Sequence, residues 1–277
     1  MTCGNLPDIA SAMAALLQTP NVSVAWSVRL ADGHELEHRA DAPMEAGSTF
    51  KAVVAAECCR QVERGHLAWS DLFVIRLEDR VPASASTEQL PVGATIPLDD
   101  AVQVMVTDSD NTTTDLVMGK VGHDAVVRLI DELGLCEMRI PESVKELHAQ
   151  PEDESIAAFT ASMRDLRSFF DVVFGEKLFA QPGTHHRFLA FLRGEDEPQG
   201  TSWPNGVTCY RKGGSLHSDA MVAQAIPGAF TRNGAVTTWA FAIKQRPSPL
   251  DGQPAMFDEI ARGLGKALSG ITDTLQR

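Results

Sequence analysis

The hydrophobic period of this chain changes twice, and that switch restricts its fold more than any other feature. Asn21 to Leu30 (NVSVAWSVRL) alternates apolar and polar residues, the pattern of a half-buried strand. Ala31-Asp32-Gly33 is turn chemistry, and His34 to Arg39 returns as a second strand, so the pair reads as a hairpin. From Ser48 the spacing becomes helical, with Phe50, Val53, Val54 and Cys58 on one face and Gly65 as a stop. Helical spacing continues over Leu98 to Val106, Asn111 to Lys120, His123 to Leu133, Ser155 to Phe174 and Thr184 to Leu192. Arg139 to Asp153 carries two prolines and no firm period and reads as a long loop, and Gly194 to Gly206 as a connector. Strand patterns come back at Val207 to Lys212, Ala220 to Ile226 and Val236 to Lys244, and helices are expected at the two ends, Pro7 to Gln18 and Ala255 to Leu268.

This order predicts an α+β fold. The strands from both chain ends form one antiparallel sheet flanked by helices, and an all-helical lobe is inserted between them. In these terms residues 1–277 form one domain, with an α/β lobe at about 1–45 and 200–277 and a helical lobe at about 46–199.

Composition narrows the function. Hydrophobic residues make up 44% of the 277 positions, enough for a sizeable core. Lysine and arginine number 24 against 37 aspartate and glutamate, a net charge of −13. That acidity argues against nucleic acid and against an anionic membrane surface as partners, because both would be repelled. No apolar stretch reaches the ~18 residues needed to span a bilayer. Met1 to Pro7 has no basic start followed by an apolar run, so no secretory leader is expected. The five cysteines (3, 58, 59, 136 and 209) fit no disulfide or metal framework, which suggests reduced thiols in a cytoplasmic protein. His185-His186 is not metal spacing and the other histidines are scattered, so neither metal nor cofactor is expected. The expected partner is a small-molecule substrate.

Three short segments could carry chemistry. In Ser48-Thr49-Phe50-Lys51 the two polar ends lie three apart at a helix start, so the Lys51 amine can approach the Ser48 hydroxyl. A serine hydroxyl is a weak nucleophile until a base takes its proton, and a neutral lysine can do so. Ser109-Asp110-Asn111 sits between two helical segments, and Lys212-Gly213-Gly214-Ser215 ends a strand. Each alone is ordinary: an N-cap serine beside a surface lysine, a second helix cap, and a turn after an edge strand.

Their order and spacing are not ordinary. Ser109 follows Ser48 by 61 residues, and Lys212 follows Ser109 by 103. Here the chain resembles the class A β-lactamase family of penicillin-recognising serine enzymes. That family carries S-x-x-K, S-D-N and K-T-G in this order, about 60 and a little over 100 residues apart. The resemblance covers nearly the whole chain and implies the same layout of sheet and helical lobe. It implies that Ser48 is the nucleophile of an acyl-enzyme, that Lys51 helps deprotonate it, that Ser109 passes a proton to the leaving group, and that Lys212 holds Ser109 and adds positive potential. Asn111 would hold substrate and Lys51. The amides of Ser48 and Ser215 would form the oxyanion hole beside Gly214, and the Ser215 hydroxyl would contact substrate.

The family pattern fails in the loop. The glutamate that activates the deacylating water belongs to an E-x-x-L-N stretch. The matching run is Val144-Lys145-Glu146-Leu147-His148, which puts valine in the glutamate's place. This argues against efficient β-lactam hydrolysis. Glu146, His148 and Glu142 are the substitutes available if the loop is reshaped, against a plain reading of the two glutamates as solvated carboxylates. Gly213 replaces the usual Thr or Ser. No arginine lies in Ala220 to Ile226 to hold a substrate carboxylate, although Arg211 and Arg232 are near in sequence. His217, Trp203 and Tyr210 are further candidates for the pocket wall. Two classes of function follow. One is a serine hydrolase acting on a small amide, lactam or ester, with a true β-lactamase as its special case. The other is a protein that binds covalently without turnover, as a sensor or sequestering protein.

Overall fold

The computed structural model describes Leu17 and residues 21–149, 159–193, 206–217 and 221–245. The terminal helices expected from the sequence, apart from Leu17, lie outside the described residues, as do Trp203 and most of the 194–206 connector. The main sheet is antiparallel and draws on both ends of the described chain. Strands β1 (Val22–Arg29) and β2 (Glu35–His38) form the expected hairpin. β9 (Val222–Arg232) and β10 (Ala235–Gln245) form a longer one, and the whole of β1 pairs with Thr238 to Gln245 of β10. The order is β2-β1-β10-β9-β7, where β7 is Thr208–Arg211; β8 (Gly214–His217) also pairs with β9.

The strand expected over Ala220 to Ile226 is longer than the sequence reading has it. It does not stop at Ile226 but runs on through Pro227 and Gly228 to a turn at Asn233-Gly234. Both turn residues have positive φ, 51° and 82°, the conformation that an Asn-Gly hairpin favours. Pro227 has no N–H to give, and opposite it the neighbouring strand breaks into β7 and β8 at Lys212-Gly213. The two halves keep one register, Arg211 opposite Gly228 and Gly214 opposite Ala225.

The two faces of the sheet differ in side-chain size. Trp239, Phe241, Ile243, Val24, Val28 and Phe230 cluster on one face. The alternate positions Ala25, Ala225, Ala229, Ala240 and Ala242 belong to the core shared with the helices. Small side chains there let helices approach closely. The helices are α1 (Lys51–Glu63), α2 (Ala85–Glu88), α3 (Leu98–Thr107), α4 (Asn111–Val121), α5 (His123–Glu132), α6 (Val144–His148), α7 (Met163–Phe174) and α8 (Pro182–Leu192). Helix α1 is buried along its first nine residues and packs against α4, α5 and α8.

Three other details differ from the sequence reading. The Arg139 to Asp153 segment is not all loop, since it contains α6. The helix expected from Ser155 starts only at Met163, after a short strand β6 (Thr160–Ala161) that pairs with β3 (Met44–Glu45), and Ser162 caps it. Two further short strands, β4 (Leu72–Val74) and β5 (Thr95–Pro97), pair with each other. Each is too short for a period to register. Among the described residues no helix is long and apolar enough to cross a membrane.

Helix α7 packs on the sheet, and charge fixes it there. Arg167, 3% exposed, donates to Ser27 Oγ (2.6 Å) and to Asp171 Oδ2 (2.8 Å), and lies 3.3 Å from Glu35. Arg29 pairs with both Glu35 and Asp171. Removing the buried cation leaves acidic groups facing one another. Arg167→Ala is therefore expected to destabilise the protein by about 3 kcal/mol, read as a fall in the urea midpoint.

Candidate active site

The chain enters α1 through a 3₁₀ turn, Gly47–Phe50. Residues three apart eclipse in a 3₁₀ turn, so Lys51 stands over Ser48, and its N–H donates to the Ser48 carbonyl. The Lys51 side chain is wholly buried. Its Nζ donates to the Ser109 carbonyl (2.6 Å) and to Asn111 Oδ1 (2.7 Å), and lies 3.4 Å from Ser109 Oγ. Burial, followed by the charge of Lys212, holds this amine well below the usual lysine range, while Asp110 and Asp115 pull the other way.

Ser109 occupies the corner between α3 and α4 with φ 58°, a left-handed conformation that costs a serine about 1–3 kcal/mol. Its neighbours hold the corner. Asp110 caps α4 through Thr113 N and is fully buried. It also accepts from the amide and hydroxyl of Thr87, each at 2.9 Å. Ser84 Oγ accepts from Thr112 N (2.8 Å), and Asn111 Nδ2 donates to the Pro82 carbonyl (2.8 Å). The helix-cap reading of Asp110 therefore holds alongside the chemical reading of its neighbours. Pro82, Ser84 and Thr87 were not legible as part of this arrangement. Their only signal is a run of hydroxyl residues far away in sequence.

Strand β8 closes the site from the other side. A Cβ on Gly214 would sit 2.1 Å from the Ala46 carbonyl and 2.5 Å from Ser48 N. A Cβ on Gly47, whose φ is 51°, would sit 2.7 Å from Ser215 N. Two backbones thus meet without side chains between them, and the amides of Ser48 and Ser215 come from the two sides of that seam. Gly47 is a site residue that the sequence reading missed. Lys212 is 5% exposed, and burial followed by the charge of Arg211 lowers it to about 8, against the pull of Asp108. Gly213 is different from Gly214: the nearest atom to an added Cβ is 3.8 Å away, and its φ is not positive.

The structure brings Ser48, Lys51, Ser109, Asn111, Gly214 and Ser215 together, with Lys212 beside them. It does not bring Glu146 or His148 to them. These two residues and Glu142 are exposed, and among the described residues none hydrogen-bonds to Ser48, Lys51, Ser109 or Asn111. Val144, by contrast, is 4% exposed and packed in the core. Asp115, one turn beyond Asn111 on α4, accepts from Val144 N (2.7 Å), Lys145 N (2.9 Å) and Ser143 Oγ (2.9 Å). Tyr210 packs on Phe174, with ring centroids 5.3 Å apart, and His217 ends β8 exposed.

Comparison with known proteins identifies the family and the fold. A family model described as the β-lactamase enzyme family matches residues 8–231. A curated relative, β-lactamase 1 of Streptomyces cacaoi, is 28% identical over 182 residues; the match covers 61% of this chain and only 55% of the relative's length. A β-lactamase structure from Sphaerobacter thermophilus superposes with a TM-score of 0.78 at 24% identity, covering 97% of this chain and 95% of that one. A variant of the last common ancestor of the class A β-lactamases of Gram-negative bacteria gives 0.77 at 20% identity, covering 94% and 96%. At these identities the structural likeness speaks for the β-lactamase/transpeptidase fold.

The seam yields a direct test. Gly214→Ala drives a methyl group into the Ala46 carbonyl, so β8 must leave the head of α1. The expected result is a stability loss of about 1–3 kcal/mol by chemical denaturation. The same displacement in Gly213→Ala, where a methyl group fits, is expected to be absent.

Proposed function

Because the chain belongs to the β-lactamase enzyme family, as the match over residues 8–231 establishes, we propose that it is a serine hydrolase that works through an acyl-enzyme on a small amide, lactam or ester. The observation that carries this reading is the state of Lys51. A neutral amine has two N–H bonds and one lone pair. Two oxygens that can only accept, the Ser109 carbonyl and Asn111 Oδ1, take the two N–H bonds. The lone pair is left for a hydroxyl proton, and burial favours the neutral form that has one.

The steps balance as follows. Lys51 takes the proton of Ser48 Oγ as the oxygen adds to the substrate carbonyl, and the oxyanion is received by the amides of Ser48 and Ser215. The carbonyl carbon then loses its leaving group. Ser109 gives its hydroxyl proton to that group and recovers one from the Lys51 ammonium, 3.4 Å from its Oγ. Water later cleaves the Ser48 ester, producing a carboxylic acid and the free hydroxyl. Lys212 contributes positive charge at the cleft and Asn111 orients the substrate.

For the second half of this cycle, no carboxylate or imidazole of the described loop residues hydrogen-bonds to Ser48, Lys51 or Asn111. Val144 is buried where the resemblance expects the water-activating glutamate, while Glu146 and His148 face solvent. That favours a long-lived acyl-enzyme, and so keeps covalent binding as the second reading.

Three outcomes test the proposal. Ser48→Ala should abolish both turnover and the mass increase that penicillin or an activated ester leaves on the intact protein. Introducing a carboxylate by Val144→Glu, with Asp115 kept because it holds the Val144 amide, should shorten the lifetime of that adduct by at least about tenfold in time-resolved mass spectrometry. Acylation should also fall as pH rises through about 8, because Lys212 loses its proton there and with it the positive charge facing the cleft. A rate that climbs steadily through this pH would contradict the role given to Lys212.

A further inference from the structure

A cavity of about 510 Å³ lies at the end of the main sheet, and none of the residues that meet Ser48 lines it. Three separate stretches enclose it: Asn21 and Ser23 at the start of β1, Arg39 after β2 together with Glu45 of β3, and Lys244 near the end of β10. Its volume suits a small organic molecule.

Among the described residues, the side chains of Asn21, Ser23 and Arg39 make no hydrogen bond or ion pair. For Arg39 this runs against the composition. The chain has a net charge of −13, and carboxylates stand two residues away on each side, at Glu37 and Asp41. Both are taken by another arginine, since Arg164 on α7 donates to Glu37 through two N–H groups, each at 2.8 Å, and pairs with Asp41. The amide of Arg164 also donates to the Ala40 carbonyl (2.9 Å), which pins the turn after β2 to α7. Arg39 holds φ 48° in that turn and Asn21 holds φ 60°, left-handed conformations that are costly for such residues and gather at ligand sites.

Lys244 is engaged. It donates to Glu45, and it stands opposite Ser23 in the β1–β10 ladder. Two cations and one carboxylate therefore line the cavity, and its donors outnumber its acceptors. The ligand that complements such walls carries one negative charge and acceptor oxygens. A carboxylate meets both demands, and a guanidinium receives it through two parallel N–H bonds.

Glu45 puts the cavity at the root of the nucleophile turn. It precedes Ser48 by three residues, and the Ala46 that follows it forms the seam with Gly214. The Lys244 ammonium ties this stretch to β10. A carboxylate seated on Arg39 beside Lys244 competes with Glu45 for that ammonium and repels it, so the tie weakens.

We propose that this cavity is a regulatory site for a small monocarboxylate, held by Arg39, and that its occupation loosens the stretch leading to Ser48. Neither part depends on whether Ser48 is acylated.

Calorimetry with benzoate tests the site, with benzamide as the uncharged reference. The full chain should bind benzoate at least about tenfold more tightly than benzamide. Arg39→Asn removes the guanidinium and keeps a residue that tolerates left-handed backbone. It should weaken benzoate at least about tenfold and leave benzamide unchanged. Arg128→Asn changes net charge equally at an exposed position of α5 outside the cavity, and it should leave benzoate binding as it is. Lys212→Ala should do the same, which separates this site from the Ser48 cleft. Benzoate binding that is absent, that survives Arg39→Asn, or that falls equally in either control variant overturns the proposal. Hydrogen exchange reads the second part. Saturating benzoate should speed exchange of the amides of residues 46–50 at least about fivefold in the wild-type protein and have no effect in Arg39→Asn. Unchanged or slower exchange in the wild-type protein overturns the link to Ser48. Both measurements read the protein without turnover, so a failure of the acyl-enzyme reading alters neither result.

Discussion

The site depends on one contact between two stretches of bare backbone. Gly47 opens the turn that leads into α1, and Gly214 opens β8. Each occupies a place where a Cβ would lie within 3 Å of the other's segment. Side chains normally separate packed elements by 8–10 Å. Here the sheet edge and the helix head touch directly, and this allows two amides from distant parts of the chain to address one point. Glycine at Gly214 is set by space. At Gly47 it is set by space and by a positive φ as well.

Around that seam the protein keeps a lysine out of water and supports a strained serine. Desolvation would leave the Lys51 ammonium costly, and Lys212 adds to the cost, while Asp110 and Asp115 offset part of it. Both acids sit on the first turns of α4 and have backbone work of their own. Asp110 ties the 80s segment to the Ser109 corner, and Asp115 caps α6 and so fixes where Val144 lies. The electrostatics of the amine and the shape of the loop are therefore set by the same two side chains. A change at Asp115 alters both at once.

The sequence conveyed the architecture and the reacting groups because both are periodic or patterned. Alternation marks β1, β2 and β10, and i to i+3 spacing puts Ser48 under Lys51. The positions that failed to register have no period. β9 runs through Pro227-Gly228, a pair that normally argues against a strand. It is tolerated because the partner strand breaks at the same level, and because a Cβ on Gly228 would meet Trp239 Cζ2 at 2.7 Å. The Asn233-Gly234 turn was the available signal for that longer hairpin. Helix α6 was hidden in a proline-containing stretch because its start is specified by Asp115, 28 residues before Ser143. Thr87 and Ser84 belong to the site only through hydrogen bonds to Asp110 and Thr112, and long-range hydrogen bonds leave no local pattern.

The break between β7 and β8 also bears on how this protein avoids its own copies. A long flat edge strand offers a ladder of unpaired amides and carbonyls to any neighbouring chain. This edge is cut into two four-residue pieces. Between them lies a lysine that points inward and is held at 5% exposure, so a docking strand would have to desolvate it further or push it aside. The interruption that admits Lys212 to the cleft thus also protects the sheet from fibre-like growth along this side.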